Sequence, residues 1–204
     1  MKTGMKQNNI KIAVTGGIGS GKSTVANIIK EQGYAVFSCD EIYNELLRDE
    51  AFIKKLTQKF GTEILTDERL NKPKLAQIVF NDEKKLEELN GITHNLIMQK
   101  AMELAEKEEM SFCEVPLLFE NGYEKLFDNV IVVLRNEAER IKSIVSRSKI
   151  CEQDVLKRIK VQFDYKNGDF AKYYVIHNNG NLTDLRTNTC EILNMINSLR
   201  LRTE

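Results

Sequence analysis

Eight residues, Gly16-Gly17-Ile18-Gly19-Ser20-Gly21-Lys22-Ser23, constrain this chain more than any other stretch. They fit the spacing G-x-x-x-x-G-K-[ST], and their flanks match what that spacing requires. Ile10 to Thr15 reads as a buried strand, and Ser23 to Glu31 carries Val25, Ile28 and Ile29 at helical intervals. Between strand and helix, glycines let the backbone curl so that successive N–H groups face inward and form an anion nest. The helix start adds unpaired N–H groups and the positive end of its dipole. This is a phosphate-binding loop, and it predicts a nucleoside triphosphate ligand with Mg²⁺. Gly17, Ile18, Gly19, Ser20, Gly21, Lys22, Ser23 and Thr24 are the candidate nucleotide contacts. Lys22 is the catalytic cation reaching the terminal phosphates, and the Ser23 hydroxyl is a Mg²⁺ ligand.

The rest of the composition narrows the setting. A chain of 204 residues is long enough for one buried core with a small lobe. Thirty basic and thirty acidic residues cancel, so no whole-chain charge favours nucleic acid or an anionic membrane. Cys39, Cys113, Cys151 and Cys190 are scattered, without zinc spacing, and read as reduced thiols. No apolar run approaches the ~20 residues of a membrane span, and Met1 to Asn9 is polar. The expectation is a cytoplasmic protein, monomeric or weakly self-associating, with no nucleic-acid or membrane partner.

Along the chain, Tyr34 to Ser38 reads as a second strand, followed by helices over 40–48 and 51–60. Residues 62–73 are polar and turn-rich and read as a loop. From 74 to 109 the spacing of Leu86, Leu89, Ile92 and Leu96 predicts helix. Strands return at 111–115 and at 129–134, the latter an unbroken apolar run suited to a parallel sheet covered on both faces. Asn136-Glu137-Ala138-Glu139 has the form of a capping box opening a helix. A basic helical pair over 140–147 and 154–162, a loop over 164–172, a last strand over 173–177 and a helix from 182 to 199 complete the pattern. The alternation predicts an α/β fold of the P-loop NTPase type, with a parallel sheet of about five strands flanked by helices. One domain is expected, its core at about 9–40 and 110–204. A helical acceptor-binding insert would span about 41–109, and a lid about 140–168.

The loop alone does not choose between kinases, GTPases and transporters. The guanine reader Asn-Lys-x-Asp is missing, since Asn71-Lys72-Pro73-Lys74 lacks the acid and precedes the helical insert. A short chain with a helical insert and a basic helical pair points to a small-molecule kinase that closes a charged lid over its substrates.

Over Ile10 to about Leu199 the chain resembles the dephospho-coenzyme A kinases. The segments that carry the resemblance are Thr15 to Val25, Asp40, Gly91-Ile92-Thr93-His94, Val115-Pro116-Leu117-Leu118-Phe119-Glu120, Arg147, Arg158 with Gln162, and Ile176 to Gly180, in family order. The resemblance implies ATP-dependent phosphorylation of the ribose 3′-hydroxyl of dephospho-CoA, the last step of coenzyme A synthesis. It implies Asp40 as the group that accepts or orients that hydroxyl, where the residue alone reads equally as a helix N-cap. Glu114 ends the third large strand where an acid often helps hold Mg²⁺, or is a solvated carboxylate. By resemblance His94 lies on the acceptor side, where the residue alone reads as structural, and Pro116, Leu117 and Leu118 form an apolar ledge for the CoA moiety or are only a strand exit packed on the core. Arg147 becomes the catalytic lid arginine or is a solvated helix arginine, and Asn178 and Asn179 contact adenine or serve only as turn residues. The chain departs from the family pattern at Ser38, Asn95, Ser143 and Lys172-Tyr173; Arg140, one turn before Ser143, is a possible substitute for the arginine missing there. The alternatives are another metabolite kinase, such as a nucleoside monophosphate kinase, or a regulatory ATP-binding protein without catalysis.

Overall fold

The computed structural model describes residues 9–80, 82–148 and 151–203. Their contacts separate into two compact units, the described parts of Met1–Phe37 and Ala105–Glu204 in one and Ser38–Leu104 in the other.

The larger unit is built on a five-stranded sheet. Its strands are β1 (Ile10–Thr15), β2 (Ala35–Ser38), β5 (Met110–Glu114), β6 (Asn129–Leu134) and β7 (Tyr174–His177), in the order β2-β5-β1-β6-β7. β1 pairs in parallel with β5 and β6, in register Ile12 with Phe112 and Val14 with Ile131, and β6 pairs in parallel with β7. Both neighbours of β1 lie far along the chain, so β1 is central and covered on both faces. That is why Ile12, Ala13 and Val14 are all buried without alternation. Helix α1 (Lys22–Glu31) lays Val25, Ile28 and Ile29 on the sheet, and α8 (Leu182–Thr203) adds Leu185, Leu193 and Ile196 to the same core. Each such burial contributes about 1.5–3 kcal/mol.

The predicted helical pair is present as α6 (Glu137–Ser148) and α7 (Glu152–Lys160), which pack on each other. The capping box is not completed as the sequence implies. A capping-box glutamate would take the Asn136 N–H. Instead Asn179 Oδ1 accepts it at 2.8 Å, while the Glu139 carboxylate pairs with Arg135 at 3.6 Å.

The smaller unit is mostly helical: α2 (Cys39–Leu46), α3 (Glu50–Phe60), α4 (Lys72–Phe80) and most of α5 (Glu83–Ala105). Phe52, Leu56, Phe60, Ile64, Leu75, Val79 and Ile97 are among its buried side chains. Two expectations fail here. The loop over 62–73 holds a 3₁₀ turn (Thr62–Ile64) and an antiparallel hairpin of β3 (Leu65–Thr66) and β4 (Arg69–Leu70). Its turn residues Asp67 and Glu68 sit at φ 50° and 59°, the mirror-image turn that suits a two-residue hairpin. The helical run over 74–109 is two helices, and α4 begins earlier than expected because Asn71 Oδ1 caps the Lys74 N–H at 3.1 Å. Asp82 caps α5 through Lys85 N at 3.2 Å. Among the described residues no helix is long and apolar enough to cross a membrane.

Candidate active site

The glycine loop leaves the carboxyl end of β1, between β5 and β6, where the chain's strand order changes direction. In open α/β sheets that position is the usual ligand crevice. The loop is held in shape by its own turn, Ser20 N–H to Gly17 O at 3.0 Å, and by neighbours on each side. Gly21, at φ 94°, is the N-cap of α1, so Lys22 and Ser23 open the helix. A side chain at Gly21 would be strained, and its Cβ would fall 2.2 Å from Asn178 Nδ2.

The two residues read as metal ligands come together. Ser23 Oγ donates to Glu114 Oε1 at 2.6 Å, with Glu114 only 7% exposed at the end of β5. This hydroxyl and carboxylate are hard oxygen donors, the chemistry Mg²⁺ prefers. Among the described residues no cluster of three or more His, Cys, Asp or Glu forms a metal cage. Mg²⁺ does not need one, since it keeps several waters and takes phosphate oxygens for the rest of its shell.

On the other side of the loop lies Arg140 of α6, 8% exposed. Its Nε donates to Ile18 O at 2.8 Å, and its Nη2 to Gln162 Oε1 at 3.4 Å. Gln162 Oε1 also accepts the Ile18 N–H at 2.8 Å, so both polar atoms of Ile18 are held by this pair. A Cβ on Gly17 would lie 2.4 Å from Arg140 Nη2; only glycine lets the guanidinium lie this close. Burial lowers the Arg140 pKa from its ordinary value, and Glu137 and Tyr165 work against that shift. One turn on, Ile144 is fully buried and faces Gly19. Arg147 follows seven residues after Arg140, so it lies on the same face of α6 about two turns away, exposed.

Asn178 and Asn179 follow β7 and play different structural parts. Asn178 is 9% exposed, and its Nδ2 donates to Ser20 O at 2.8 Å, so its amide donor supports the loop from behind. Asn179 holds the start of α6 through the Asn136 N–H. It lines a cleft of about 410 Å³ together with Leu134, Asn136, Arg140, Tyr165 and His177. Tyr165 seals one wall: its hydroxyl meets Thr15 Oγ1 at 3.2 Å, and Thr15 Oγ1 donates to Val115 O at 2.8 Å. Burial pushes the Tyr165 phenol up to about 12. Phe119, Phe163 and Phe170 pack around it with ring centroids 5.3–6.2 Å from its own, Tyr173 packs on Phe119, and Glu120 accepts the Phe163 N–H at 2.9 Å.

The glycine loop between a buried strand and a helix agrees with the chain's known relatives. The sequence model of the dephospho-CoA kinases matches residues 10–184. The chain belongs to the dephospho-CoA kinase family. A dephospho-CoA kinase of Helicobacter pylori is 37% identical over 180 residues, covering 85% of this chain and 91% of that protein. Among solved structures, a Thermus thermophilus protein superimposes with TM-score 0.77 at 30% identity, covering 91% of this chain and 97% of its own. The dephospho-CoA kinase of Campylobacter jejuni gives TM-score 0.66 at 28% identity, covering 94% and 98%. The predicted fold, a parallel five-stranded P-loop kinase sheet, is the observed one.

The remaining residues that the family resemblance singled out are placed as follows. Asp40 is the second residue of α2, exposed immediately beyond the buried Cys39. His94 is half-buried on α5, beside Thr93, whose buried hydroxyl has no hydrogen-bond partner among the described residues. Pro116 and Leu117 are accessible after β5, Leu117 at 37%, but Leu118 is fully buried. Leu118 is therefore a core residue and not part of an apolar ledge. Sequence reasoning gave no role to Gln162 or Tyr165. Gln162 lay within the quoted motif, and Tyr165 lay in a stretch read as loop, where nothing marks a buried phenol.

Proposed function

We propose that this chain transfers the γ-phosphoryl group of MgATP to the ribose 3′-hydroxyl of dephospho-CoA, giving coenzyme A and ADP. The observation that carries the reading is the Ser23–Glu114 pair at the mouth of a phosphate loop, in a chain of the dephospho-CoA kinase family. The loop N–H groups of Gly19 and of Gly21 to Thr24, with the Lys22 ammonium, would bind the β- and γ-phosphates. Ser23 would hold Mg²⁺, with Glu114 positioning that hydroxyl or joining the metal's shell. Mg²⁺, when bound, neutralises charge on the phosphoryl oxygens. The base would occupy the cleft bordered by Asn179 and His177.

On the acceptor side, Asp40 would take or orient the 3′-hydroxyl proton, since an exposed carboxylate in the first turn of α2 is a competent acceptor. His94, Pro116 and Leu117 would contact the CoA moiety. Arg147, exposed on the loop-facing side of α6, would reach the transferring phosphoryl group when the lid over about 140–168 closes. The enzyme would work in the cytoplasm as a monomer or weak self-associate, and the balanced charge offers no whole-chain attraction for nucleic acid.

The test is ADP release from MgATP with dephospho-CoA, AMP, GMP or buffer as acceptor. Release that depends on dephospho-CoA supports the reading. Release with AMP or GMP alone, or ATP binding without transfer to any acceptor, overturns it.

A further inference from the structure

We propose that Arg140 and Gln162 form a neutral-paired latch, in which Gln162 positions Arg140 over the phosphate loop and leaves its buried charge for the nucleotide's phosphates. The proposal rests on the loop being a nucleotide site, and on nothing about the acceptor.

A guanidinium that is 8% exposed normally has a carboxylate beside it. Among the described residues none of the ion pairs includes Arg140, and Glu137, which also borders the cleft, acts on it only through space. Its hydrogen-bond partners are two neutral oxygens, Ile18 O at 2.8 Å and Gln162 Oε1 at 3.4 Å. The Nε–H and one Nη2–H are used in this way, which leaves the Nη1 hydrogens and one on Nη2 of a five-donor fork. The same side chain borders the cleft next to the loop. A buried cation so placed lowers the cost of bringing in an anion and gains most when one arrives.

The glutamine supplies what an acid in its place would spoil. Its carbonyl oxygen satisfies the Ile18 N–H at 2.8 Å and steadies Arg140 without neutralising it. A glutamate would make the same two bonds and would also quench the charge. Gln162 is therefore a positioning residue. Arg140 is the phosphate-binding residue of the pair.

Gln162→Glu separates this role from a merely structural one. It keeps the acceptor for Ile18 and adds an ion pair, so the thermal midpoint should hold or rise. Affinity for MgATP and for inorganic tripolyphosphate, both by calorimetry, should fall about tenfold or more, the scale of one charged hydrogen bond. Arg140→Met should lose affinity for both probes, and Arg140→Lys should recover part of it. A Gln162→Glu protein that binds MgATP within about twofold of the parent, a change well under one such bond, overturns the proposal. So does a loss seen with MgATP but not with tripolyphosphate, which would place Arg140 against the base. A parent protein that binds MgATP yet does not phosphorylate dephospho-CoA would refute the proposed function and leave this inference standing.

Discussion

Replacing Asn178 tests whether the phosphate loop is shaped from behind by the β7 end. Asn178 Nδ2 donates to Ser20 O at 2.8 Å across a buried contact, and the amide lies directly against Gly21. Alanine removes the donor and strands a carbonyl in a space too closed for easy hydration. An unsatisfied buried acceptor costs about 1–3 kcal/mol. At ~2–4 °C per kcal/mol for a chain of this size, a central value of ~2 kcal/mol lowers the thermal midpoint by roughly 4–8 °C. If half of that is expressed as a displaced loop instead of lost stability, ATP affinity falls about fivefold. Asn178→Asp is the sharper variant. It sets a carboxylate oxygen against the Ser20 carbonyl and buries a charge, so it should destabilise by more than alanine does, about 3 kcal/mol or more. Calorimetric melting and ATP titration of both variants check this. An aspartate variant as stable as the parent, or more stable than the alanine variant, would refute the reasoning.

Three further outcomes follow from the same geometry. The Tyr165 phenol is held neutral in the fold up to about 12, against an ordinary value near 10. As pH rises from about 10 through about 12 the fold therefore loses stability, up to ~2–3 kcal/mol, and loses none of it below 10; denaturant titrations at pH 9 and 11.5 should show this drop in the parent and a smaller one in Tyr165→Phe. Glu114→Gln should weaken the Mg²⁺ dependence of turnover by about 10–100-fold while leaving the melting point nearly unchanged, as read from initial rates across a Mg²⁺ series. Asp40→Asn should lower kcat by about 10²–10⁴-fold with unchanged MgATP affinity if Asp40 handles the hydroxyl proton, and a near-normal kcat would remove it from that role.

Much of the large unit was legible because its signals are local. The run Ile10 to Thr15 is apolar without alternation, the glycine spacing is rigid, and Val25, Ile28 and Ile29 repeat at helical intervals. Ser23 is marked by the loop motif and Glu114 by standing at a strand end, and the structure sets the two 2.6 Å apart. The hairpin over 65–70 was not readable, because Asp67-Glu68 carries none of the glycine or asparagine that normally marks a turn at positive φ. The break between α4 and α5 did carry a signal in Asp82, a helix cap, but the surrounding helical periodicity outweighed it. Leu118 looked like an accessible ledge because burial depends on packing that its neighbours in sequence do not reveal. Arg140 and Gln162 lie 122 and 144 positions from the Ile18 they hold, a separation no local pattern encodes.

The most direct test of the central claim is the chemical position of the new phosphate. The purified protein, MgATP and dephospho-CoA are incubated, and the product is fragmented by mass spectrometry, with Lys22→Ala as the control. The account predicts one added phosphoryl group on the ribose 3′-oxygen, ADP in equal amount, and almost no product from the variant. A phosphoryl group elsewhere on the acceptor, or normal turnover by Lys22→Ala, would contradict it.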